Sequence, residues 1–445
     1  MFVVHLSFEC APIYKTGGLG DVVGSLPKAL KKLHVDSQIM MPGYGFIIKP
    51  TFLPNSQIPV IYIESPFFAH KEALKELQNQ APAFAHFCLL AVKKIKENHQ
   101  APDIIHCHDW HTALVPFLLK KWQDPFFAKT KTILTIHNVA FQGNFWTKYL
   151  HHEDLKEITD LLDPRSKKIS FLREGIKTAD FVSTVSPNHA KEIMTGKISF
   201  GLQKVIKSKK HQFMGILNGI DADVWNPATD THIYKKYSPN QAINGKIYNK
   251  IKLQSELGLF KDENIPIFGF ISRLSSQKGI EFLISLLEMA AKKRVEVIIL
   301  GKGMAKMEKS LREFQSRVRQ SWVSVNLAFD ERLAHRIYAA ADFFLIPSRY
   351  EPCGLTQMIA MRYGTIPIAT KTGGLMDSIS DKRTGFLLDE TTEEDFMQKI
   401  DEALAVFGNS HKRKEMIERV MGQDFSWDKS AKEYLHLYKE ILKIV

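Results

Sequence analysis

The sequence predicts an α/β protein built from two mostly parallel sheets, and its hydrophobic pattern is the main reason. Short apolar, β-branched runs recur along the 445 residues, and amphipathic, helix-favouring stretches separate most of them. That alternation is typical of βαβ units. A length prior of about 150 residues per domain allows two or three domains. The alternation is interrupted once, by a polar segment from Asn226 to about Asn249.

The apolar runs give the predicted strands, and the polar segment gives the predicted domain boundary. The strands are Val3 to Phe8, Val60 to Ile63, Ile133 to Ile136, Phe181 to Val185, Ile267 to Ile271, Val295 to Leu300, Phe343 to Ile346 and Ile366 to Ala369. We therefore expect a first lobe over residues 1–230 and a second lobe over residues 231–424.

Residues 425–445 are expected to form an amphipathic helix. Ala431, Tyr434, Leu435 and Tyr438 recur at helical spacing, and Ser426 is a possible N-cap. Because no strand follows, this helix either closes the second lobe or crosses back to the first.

Composition and charge exclude several classes of protein. The 60 Lys and Arg residues exceed the 48 Asp and Glu residues, but the charge of +12 is spread along the chain, which disfavours a nucleic-acid partner. No apolar run approaches the ~20 residues of a membrane span, and the N-terminus has no basic leader, so we expect a cytoplasmic protein with no membrane partner. The four cysteines lack paired spacings and are expected to be free thiols.

Two adjacent glycines after the first predicted strand indicate an anion-binding turn. In the segment Lys15 to Asp21, backbone N–H groups around Gly17 and Gly18 could bind phosphate, and Lys15 adds a charge before a helix expected to begin near Pro27. The pattern is neither G-x-G-x-x-G nor a Walker loop, which disfavours a dehydrogenase or an NTPase. Lys371 to Asp377 matches it at six of seven positions, which favours two similar lobes, although both segments can equally be ordinary strand-to-helix turns.

Polar side chains follow other predicted strands of the first lobe. The stretch His106 to His111 resembles a metal site, but neighbouring residues at a strand end point to opposite faces, so we predict no metal. His106 and His108 are expected to be structural residues of the core or of a loop, whereas Asp109 and His111 are predicted to reach a cleft. His137 and Asn138 end a further strand, and Asn218 begins an Asn-Gly turn.

The second lobe carries the predicted diphosphate site. Arg273 offers a planar fork of donors and Lys278 a point charge, both just after an apolar strand. Glu351 then lies at the mouth of a predicted helix whose first N–H groups can bind an anion.

Taken together, these motifs resemble the bacterial glycogen synthase and plant starch synthase family. The matching segments lie in the family's order along nearly the whole chain: Lys15-Thr16-Gly17-Gly18-Leu19, His108-Asp109-Trp110-His111, His137-Asn138, Asn218-Gly219-Ile220-Asp221, Ser272-Arg273 with Gln277-Lys278-Gly279, and Glu351-Pro352-Cys353-Gly354-Leu355-Thr356. The resemblance implies a GT-B fold, in which two Rossmann-like lobes face a deep cleft and the C-terminal helix crosses back to the first lobe. It also implies retaining transfer of glucose from ADP-glucose to the non-reducing end of an α-1,4-glucan.

The resemblance further implies a role for each matching residue. His137, Arg273, Lys278 and Glu351 are the expected catalytic residues: the two cations neutralise the departing diphosphate, Glu351 holds the donor sugar, and the His137 carbonyl faces the developing positive charge. The expected substrate-binding residues are Lys15, Gly17, Gly18, Asp21, Asp109, His111, Asn138, Asn218, Phe329, Cys353, Gly354, Leu355 and Thr356, with Phe329 stacking on the nucleobase. No cofactor and no metal are expected, because fixed cations and helix N–H groups can stabilise the leaving phosphate.

Two alternatives stay open at this point. A GT-B enzyme that uses UDP-glucose and another acceptor would carry similar motifs, because an aromatic side chain stacks on any base. A non-catalytic glucan-binding paralogue would keep the same fold.

Overall fold

The computed structural model describes residues 1–70, 74–317 and 320–443, and the chain divides into two compact domains. The first contains Met1–Gly219 and the segment from Ser426 onward, and the second contains Ile220–Phe425. The division at Gly219 precedes the boundary expected after Asp230. The segment after Gly219 belongs to the second domain because it contacts His335 there. Asp230 Oδ2 lies 2.7 Å from His335 Nδ1, and the Trp225 ring stacks on the His335 ring at a centroid distance of 4.1 Å.

The first domain is built on a parallel sheet. Its strands and those of a small antiparallel pair are β1 Phe2–Leu6, β2 Asp36–Pro42, β3 Val60–Ile63, β4 Ile104–His108, β5 Lys131–Ile136, β6 Asn144–Trp146, β7 Lys168–Ser170, β8 Phe181–Thr184 and β9 Phe213–Gly215. Among the described residues, the order across the main sheet is β3-β2-β1-β4-β5-β8-β9, with every pairing parallel, and β6 pairs with β7.

Helices lie in most of the connections between these strands, and β2 and β3 are joined by a loop. The helices are α1 Gly18–Lys32, α2 Leu77–Glu97, α3 Leu114–Trp122, α4 Lys156–Thr159, α5 Phe171–Thr178, α6 Pro187–Thr195 and α7 Gln203–Lys207. The prediction that the first helix begins near Pro27 was wrong: α1 begins at Gly18, and Pro27 lies inside it.

The second domain repeats the architecture on a second parallel sheet. Its strands are β10 Ile267–Ile271, β11 Glu296–Leu300, β12 Val323–Asn326, β13 Phe343–Ile346, β14 Ile366–Thr370 and β15 Phe386–Leu388, in the order β12-β11-β10-β13-β14-β15 over the part of the chain described. The helices are α8 Ala242–Leu257, α9 Ile280–Lys293, α10 Ala305–Arg317, α11 Glu331–Ala340, α12 Thr356–Arg362, α13 Gly373–Ser378, α14 Glu393–Phe407 and α15 Ser410–Met421.

Helix α8 lies partly inside the segment that the sequence suggested was an irregular break. Its polar residues are buried because each has a partner: Lys246 Nζ donates to Thr365 Oγ1 at 2.7 Å and to the Tyr363 carbonyl at 3.2 Å, and Asn249 Oδ1 accepts from the Tyr234 N–H at 2.9 Å. A helix that buries satisfied polar groups has no clear hydrophobic periodicity.

The C-terminal helix α16, Trp427–Leu442, belongs to the first domain. One face of α16 shares a core cluster with α1 and with residues near the N-terminal ends of β1, β4 and β5. The residues of α16 in this cluster are Trp427, Ala431, Tyr434, Leu437 and Tyr438. The helix was predicted from its periodicity, and the implied return to the first lobe is confirmed.

Candidate active site

Each sheet reverses its strand order at one point, and the predicted site residues lie around these two points. In the first domain the order turns between β1 and β4, and in the second between β10 and β13. Ligands of open α/β sheets bind at the carboxyl ends of the strands beside such a switch point. Lys15 follows β1 and Asp109 follows β4, whereas Arg273 and Lys278 follow β10 and Glu351 follows β13.

The glycine turn of the first domain already surrounds an anion, the carboxylate of Glu9. Glu9 Oε2 accepts from the Thr16 N–H, from Thr16 Oγ1 at 2.6 Å and from the Gly17 N–H at 3.2 Å, and Oε1 accepts from the Gly20 N–H at 2.8 Å. The N–H groups of Thr16, Gly17 and Gly20 therefore already have an acceptor, which the sequence did not indicate. Further along α1, Gly24 packs closely on the preceding loop: a Cβ there would come within 2.3 Å of the Ala11 carbonyl oxygen.

Lys15 is the exposed cation of this turn. Its Nζ lies 2.7 Å from Oδ1 of Asp21 in the first turn of α1, and its side chain is 48% exposed. Gly17 is the N-cap of α1 with an extended backbone, φ −159°, so it does not need the left-handed region that glycine allows. The ammonium group can therefore meet a ligand while the backbone below it is fixed.

Asp109 caps the loop that follows β5. Its Oδ1 accepts from the His137 N–H at 2.7 Å and more weakly from the Asn138 N–H at 3.4 Å, and its own backbone is left-handed, φ 59°. Burial raises the pKa of Asp109 from 3.8 to about 7, although the two backbone N–H groups oppose the shift. The carboxyl therefore orients His137 and Asn138 rather than pointing freely into solvent.

His137 is held as a neutral imidazole. Its Nε2 lies 3.0 Å from Nδ1 of His108, and desolvation lowers the pKa of His137 to about 3. Asn138 Oδ1 accepts from the Ala140 N–H at 3.1 Å and tightens the same turn. A neutral ring of such low pKa is a poor general base near pH 7.

Three histidines of the core come close together in a way that the sequence did not indicate. Ring nitrogens of His5, His106 and His108 lie within 4.8 Å of one another, because β1 and β4 are neighbours. Hydrogen bonds use all of their ring nitrogens except Nε2 of His5, which has no partner among the described residues. His106 contacts Tyr438 Oη at 2.8 Å and Thr135 Oγ1 at 2.6 Å. His108 contacts His137 and, at 3.4 Å, His5. The expectation that His106 and His108 are core residues is confirmed.

His111 is half-buried, and Asn218 is buried. The His111 ring is stacked between Phe8 and Trp110, with centroid distances of 3.7 and 3.9 Å, and is partly exposed. Asn218 is buried, and its Oδ1 has no hydrogen-bond partner among the described residues.

In the second domain, Lys278 and Glu351 form one ion pair. Lys278 Nζ lies 2.5 Å from Glu351 Oε2, which also accepts from Ser348 Oγ at 3.0 Å, and the side chains are 18% and 10% exposed. Their loops are tied together: the Arg349 N–H donates to the Gln277 carbonyl at 2.8 Å. The structure thus brings together a predicted phosphate ligand and a predicted sugar ligand.

Arg273 and Phe329 are exposed on the same domain. Arg273 follows β10 with its guanidinium toward solvent, and Phe329 follows β12 with 79% of its surface exposed. An aromatic ring so exposed near the carboxyl end of a strand is available for stacking on a planar ligand.

The Glu351 turn is supported by the second copy of the glycine motif. The Gly374 N–H donates to the carbonyls of Glu351, at 3.1 Å, and Pro352, at 3.2 Å, and a Cβ on Gly374 would lie 2.3 Å from the Cys353 carbonyl oxygen. This copy follows β14, whereas the first copy follows β1, so the two do not occupy corresponding places. The two domains have similar folds, but the two glycine motifs do not mark equivalent positions in them.

The turn leads into α12. Gly354 is left-handed, φ 72°, and Gln357 Nε2 donates to the Cys353 and Gly354 carbonyls at 3.0 and 2.9 Å. Leu355 is the N-cap and Thr356 the first residue of α12, so the N–H groups of this turn lie at a helix start, where intrahelical acceptors are lacking.

Sequence reasoning missed Glu9, Ser348 and the contact between His108 and His137. Glu9 lies within three residues of the end of β1, as Asp109 does for β4, so its position at a strand end was a usable signal. Ser348 lies only three residues before Glu351, but a serine there has no distinctive pattern. His108 contacts His137 across 29 residues of chain, and local patterns do not report such a contact.

None of the described helices combines the length and the apolar character that a membrane crossing requires. The four cysteines form no disulfide with one another, as expected, and all four are buried.

Comparisons with known proteins cover both domains. Residues 2–208 match the starch synthase catalytic domain, and residues 254–420 match glycosyl transferases group 1. A glycogen synthase of Geotalea daltonii is 39% identical over 483 residues and one of Thermotoga petrophila 37% identical over 484 residues, each alignment covering 99% of both chains. The catalytic domain of starch synthase IV from Arabidopsis thaliana, solved bound to ADP and acarbose, has a TM-score of 0.90 at 32% identity, covering 99% of each chain.

Two Rossmann-like domains with charged residues at both switch points define a glycosyltransferase of the GT-B class. Within that class, the full-length similarity to glycogen synthases decides the family. The chain belongs to the glycogen and starch synthase family.

Proposed function

We propose that this protein transfers glucose from ADP-glucose to the 4-hydroxyl at the non-reducing end of an α-1,4-glucan, with retention of configuration. The observation that carries the proposal is the Lys278–Glu351 pair at the second switch point, with Arg273 exposed on the same loop as Lys278. Full-length relatives that are glycogen synthases, and a similar starch synthase bound to ADP and acarbose, support this donor and acceptor. We place the reaction in the cytoplasm.

The second domain stabilises the leaving group in this proposal. As the bond between C1 of glucose and the phosphate oxygen breaks, its electron pair goes to the diphosphate. Arg273 and Lys278 are the cations that meet this charge, and N–H groups of Gly354, Leu355 and Thr356 add donors. Glu351 exchanges part of its contact with Lys278 for hydroxyls of the donor sugar, while Phe329 stacks on the adenine and Cys353 lines the turn.

The first domain supplies groups toward the glucosyl unit and the acceptor. The His137 carbonyl faces the positive character at C1, and Asp109 holds the backbone that presents it. Lys15, with Gly17, Gly18 and Asp21, forms the turn over the donor, while Asn138, His111 and Asn218 complete the sugar-facing set. The acceptor oxygen bonds to C1 on the face that the phosphate leaves, and its proton passes to the leaving phosphate.

The proton route follows from the state of His137. Desolvation lowers the pKa of His137 to about 3, so its imidazole is too weak a base to take the acceptor proton at neutral pH. The departing phosphate oxygen gains negative charge during the step and is a stronger base than the ring. No metal or other cofactor is required in this scheme.

Nucleotide release from two donors tests the proposal. The protein is incubated with ADP-glucose or UDP-glucose, each with and without glycogen, and released nucleoside diphosphate is measured. We expect ADP release that depends on glycogen and exceeds UDP release. Preferential release of UDP would favour the alternative donor, and an absence of release from both donors would favour a non-catalytic paralogue.

A further inference from the structure

The strongest unassigned feature of the first domain is the buried carboxylate of Glu9. Only 1% of the residue is exposed, and its carboxylate has the four donors described above, three of them backbone N–H groups around the start of α1. A buried carboxylate is stable only when donors replace its hydration. The N-terminal end of a helix, where the macrodipole is positive, is a favourable place for it.

The contacts of Glu9 determine where the backbone beside Lys15 can lie. Thr16, the next residue, donates to Glu9 through both its N–H and its hydroxyl group. The Gly20 N–H donates to the other carboxylate oxygen of Glu9, and the Ala11 N–H donates to the Gly20 carbonyl at 2.9 Å. The segment between Lys15 and Gly20 is therefore fastened to the end of β1 at both of its ends.

The same contacts decide what this turn can offer a ligand. Because three of its N–H groups already donate to Glu9, they are not available to phosphate oxygens. The charge that the turn presents is that of the Lys15 ammonium, which lies beside Asp21 at 2.7 Å and is 48% exposed.

We propose that Glu9 is a positioning residue: its carboxylate replaces a bound anion inside the glycine turn and fixes the backbone from which Lys15 meets the donor. The proposal rests on the proposed function for the part that Lys15 plays toward ADP-glucose. Burial raises the pKa of Glu9, and the hydrogen bonds from Thr16, Gly20 and Gly17 oppose that shift.

A double-mutant cycle separates positioning from general stability. Glu9→Gln keeps the shape of the side chain but places an amide against the N–H groups of the turn. We expect a loss in kcat/KM on the order of 10²-fold, the cost typical of a displaced contact group. In a Lys15→Ala background the same substitution should cost less than about 3-fold, because the group through which Glu9 acts is already gone.

A second substitution and a control cover the case in which Glu9→Gln does not fold. Thr16→Val removes only the hydroxyl bond to Glu9 from an exposed residue and should show a smaller loss that also disappears in the Lys15→Ala background. Tyr44→Phe is the control: its hydroxyl donates to the Phe8 carbonyl at 2.9 Å, next to Glu9 but not to its carboxylate. We expect Tyr44→Phe to keep kcat/KM within about 2-fold.

Hydrogen exchange gives a result that does not depend on turnover. The amides of Thr16, Gly17 and Gly20 should exchange faster in Glu9→Gln than in the original protein, while amides of β4 keep their protection. Additive losses in the double-mutant cycle, or unchanged exchange at these amides, would overturn the proposal. If the unmodified protein released no ADP, the proposed function would fail, and the exchange rates would still decide whether Glu9 fixes the turn.

Discussion

At the scale of single residues, the two cations after β10 have different surroundings. Lys278 is mostly buried and paired with Glu351, whereas Arg273 is exposed. The position of both cations just after a strand was predicted from the sequence. The pairing of Lys278 with Glu351 was not, because this ion pair joins segments 73 residues apart in the chain.

Arg273→Ala and Lys278→Ala should therefore differ in stability but agree in activity. Each should lower kcat by about 10²–10³-fold, since each removes a donor to charge that grows in the transition state. Only Lys278→Ala should also lower the melting temperature, because it leaves the Glu351 carboxylate without its cation. Steady-state kinetics and thermal unfolding of each variant measure both effects.

Lys293→Ala is the matched control for Lys278→Ala. Lys293 is paired with Asp401 at 2.5 Å and is 19% exposed, but it lies at the end of α9. Its substitution should leave kcat unchanged. Activity within a few-fold of the original protein in both Arg273→Ala and Lys278→Ala would show that these cations do not meet the leaving group.

Asp109 should give the protein a measurable pH dependence. Its pKa is raised from 3.8 to about 7, so the folded state binds its proton more tightly than the unfolded chain does. The resulting stabilisation is fully present below pH 3.8 and is lost as the pH rises toward 7. Between pH 5 and pH 8 the original protein should thus lose more unfolding free energy than Asp109→Asn, in which this group does not titrate.

Denaturant unfolding of both proteins at the two pH values measures that difference. Asparagine also accepts the left-handed backbone of position 109, so the comparison keeps the fold of the turn. Equal pH dependence in the two proteins would mean that Asp109 is ionised throughout this range.

At the scale of elements, the eight apolar runs predicted as strands are strands, whereas β2, β15 and the polar helix α8 were not predicted. Runs such as Ile267 to Ile271 are continuous apolar stretches bounded by polar loops, and they appear in the structure as strands. Helix α8 instead buries Lys246 and Asn249, whose partners come from α11 and from segments outside it. The strand order, and with it the two switch points, depends on non-local pairing that a single sequence does not display.

The element that holds Glu351 in place is the second glycine turn, and Gly374 packs tightly against the Glu351 turn. Gly374→Ala should destabilise the protein by about 1–3 kcal/mol, the range for overpacking, and should lower kcat because the Glu351 turn must shift. The added Cβ would otherwise lie 2.3 Å from the Cys353 carbonyl oxygen.

Gly408→Ala is the control for this substitution. Gly408 ends α14 with φ −67°, and its Cβ would meet no atom closer than 3.6 Å. It should leave kcat unchanged and stability unchanged or slightly raised. Gly374→Ala with normal stability and activity would contradict the contact between the two turns.

At the scale of the whole molecule, the chain forms one domain, then the second, and returns to the first with α16. Tyr438 of α16 reaches His106 of β4, so the end of the chain completes the first domain's core. The helical periodicity of α16 was recognised in the sequence. That periodicity did not indicate which domain the helix joins, because both domains offer apolar faces of the same kind, and only the family resemblance implied the first domain.

Chelation tests whether the reaction needs a divalent metal ion. With Arg273 and Lys278 in place of a divalent ion at the diphosphate, EDTA should leave the rate of ADP release unchanged. The unmodified protein is measured before and after dialysis against EDTA, with Mg²⁺ and Zn²⁺ added back. A rate lost on chelation and restored by either ion would assign the metal a role in the reaction.

The central claim, retaining transfer to the non-reducing end, is tested most directly by the product. The protein is incubated with glycogen and ADP-glucose carrying ¹⁴C in the glucose, and the polymer is isolated and digested with β-amylase, which releases maltose from non-reducing α-1,4 ends. We predict that the label enters the polymer and is released as maltose. Label recovered only as free glucose, or held in polymer that β-amylase cannot shorten, would contradict the claim.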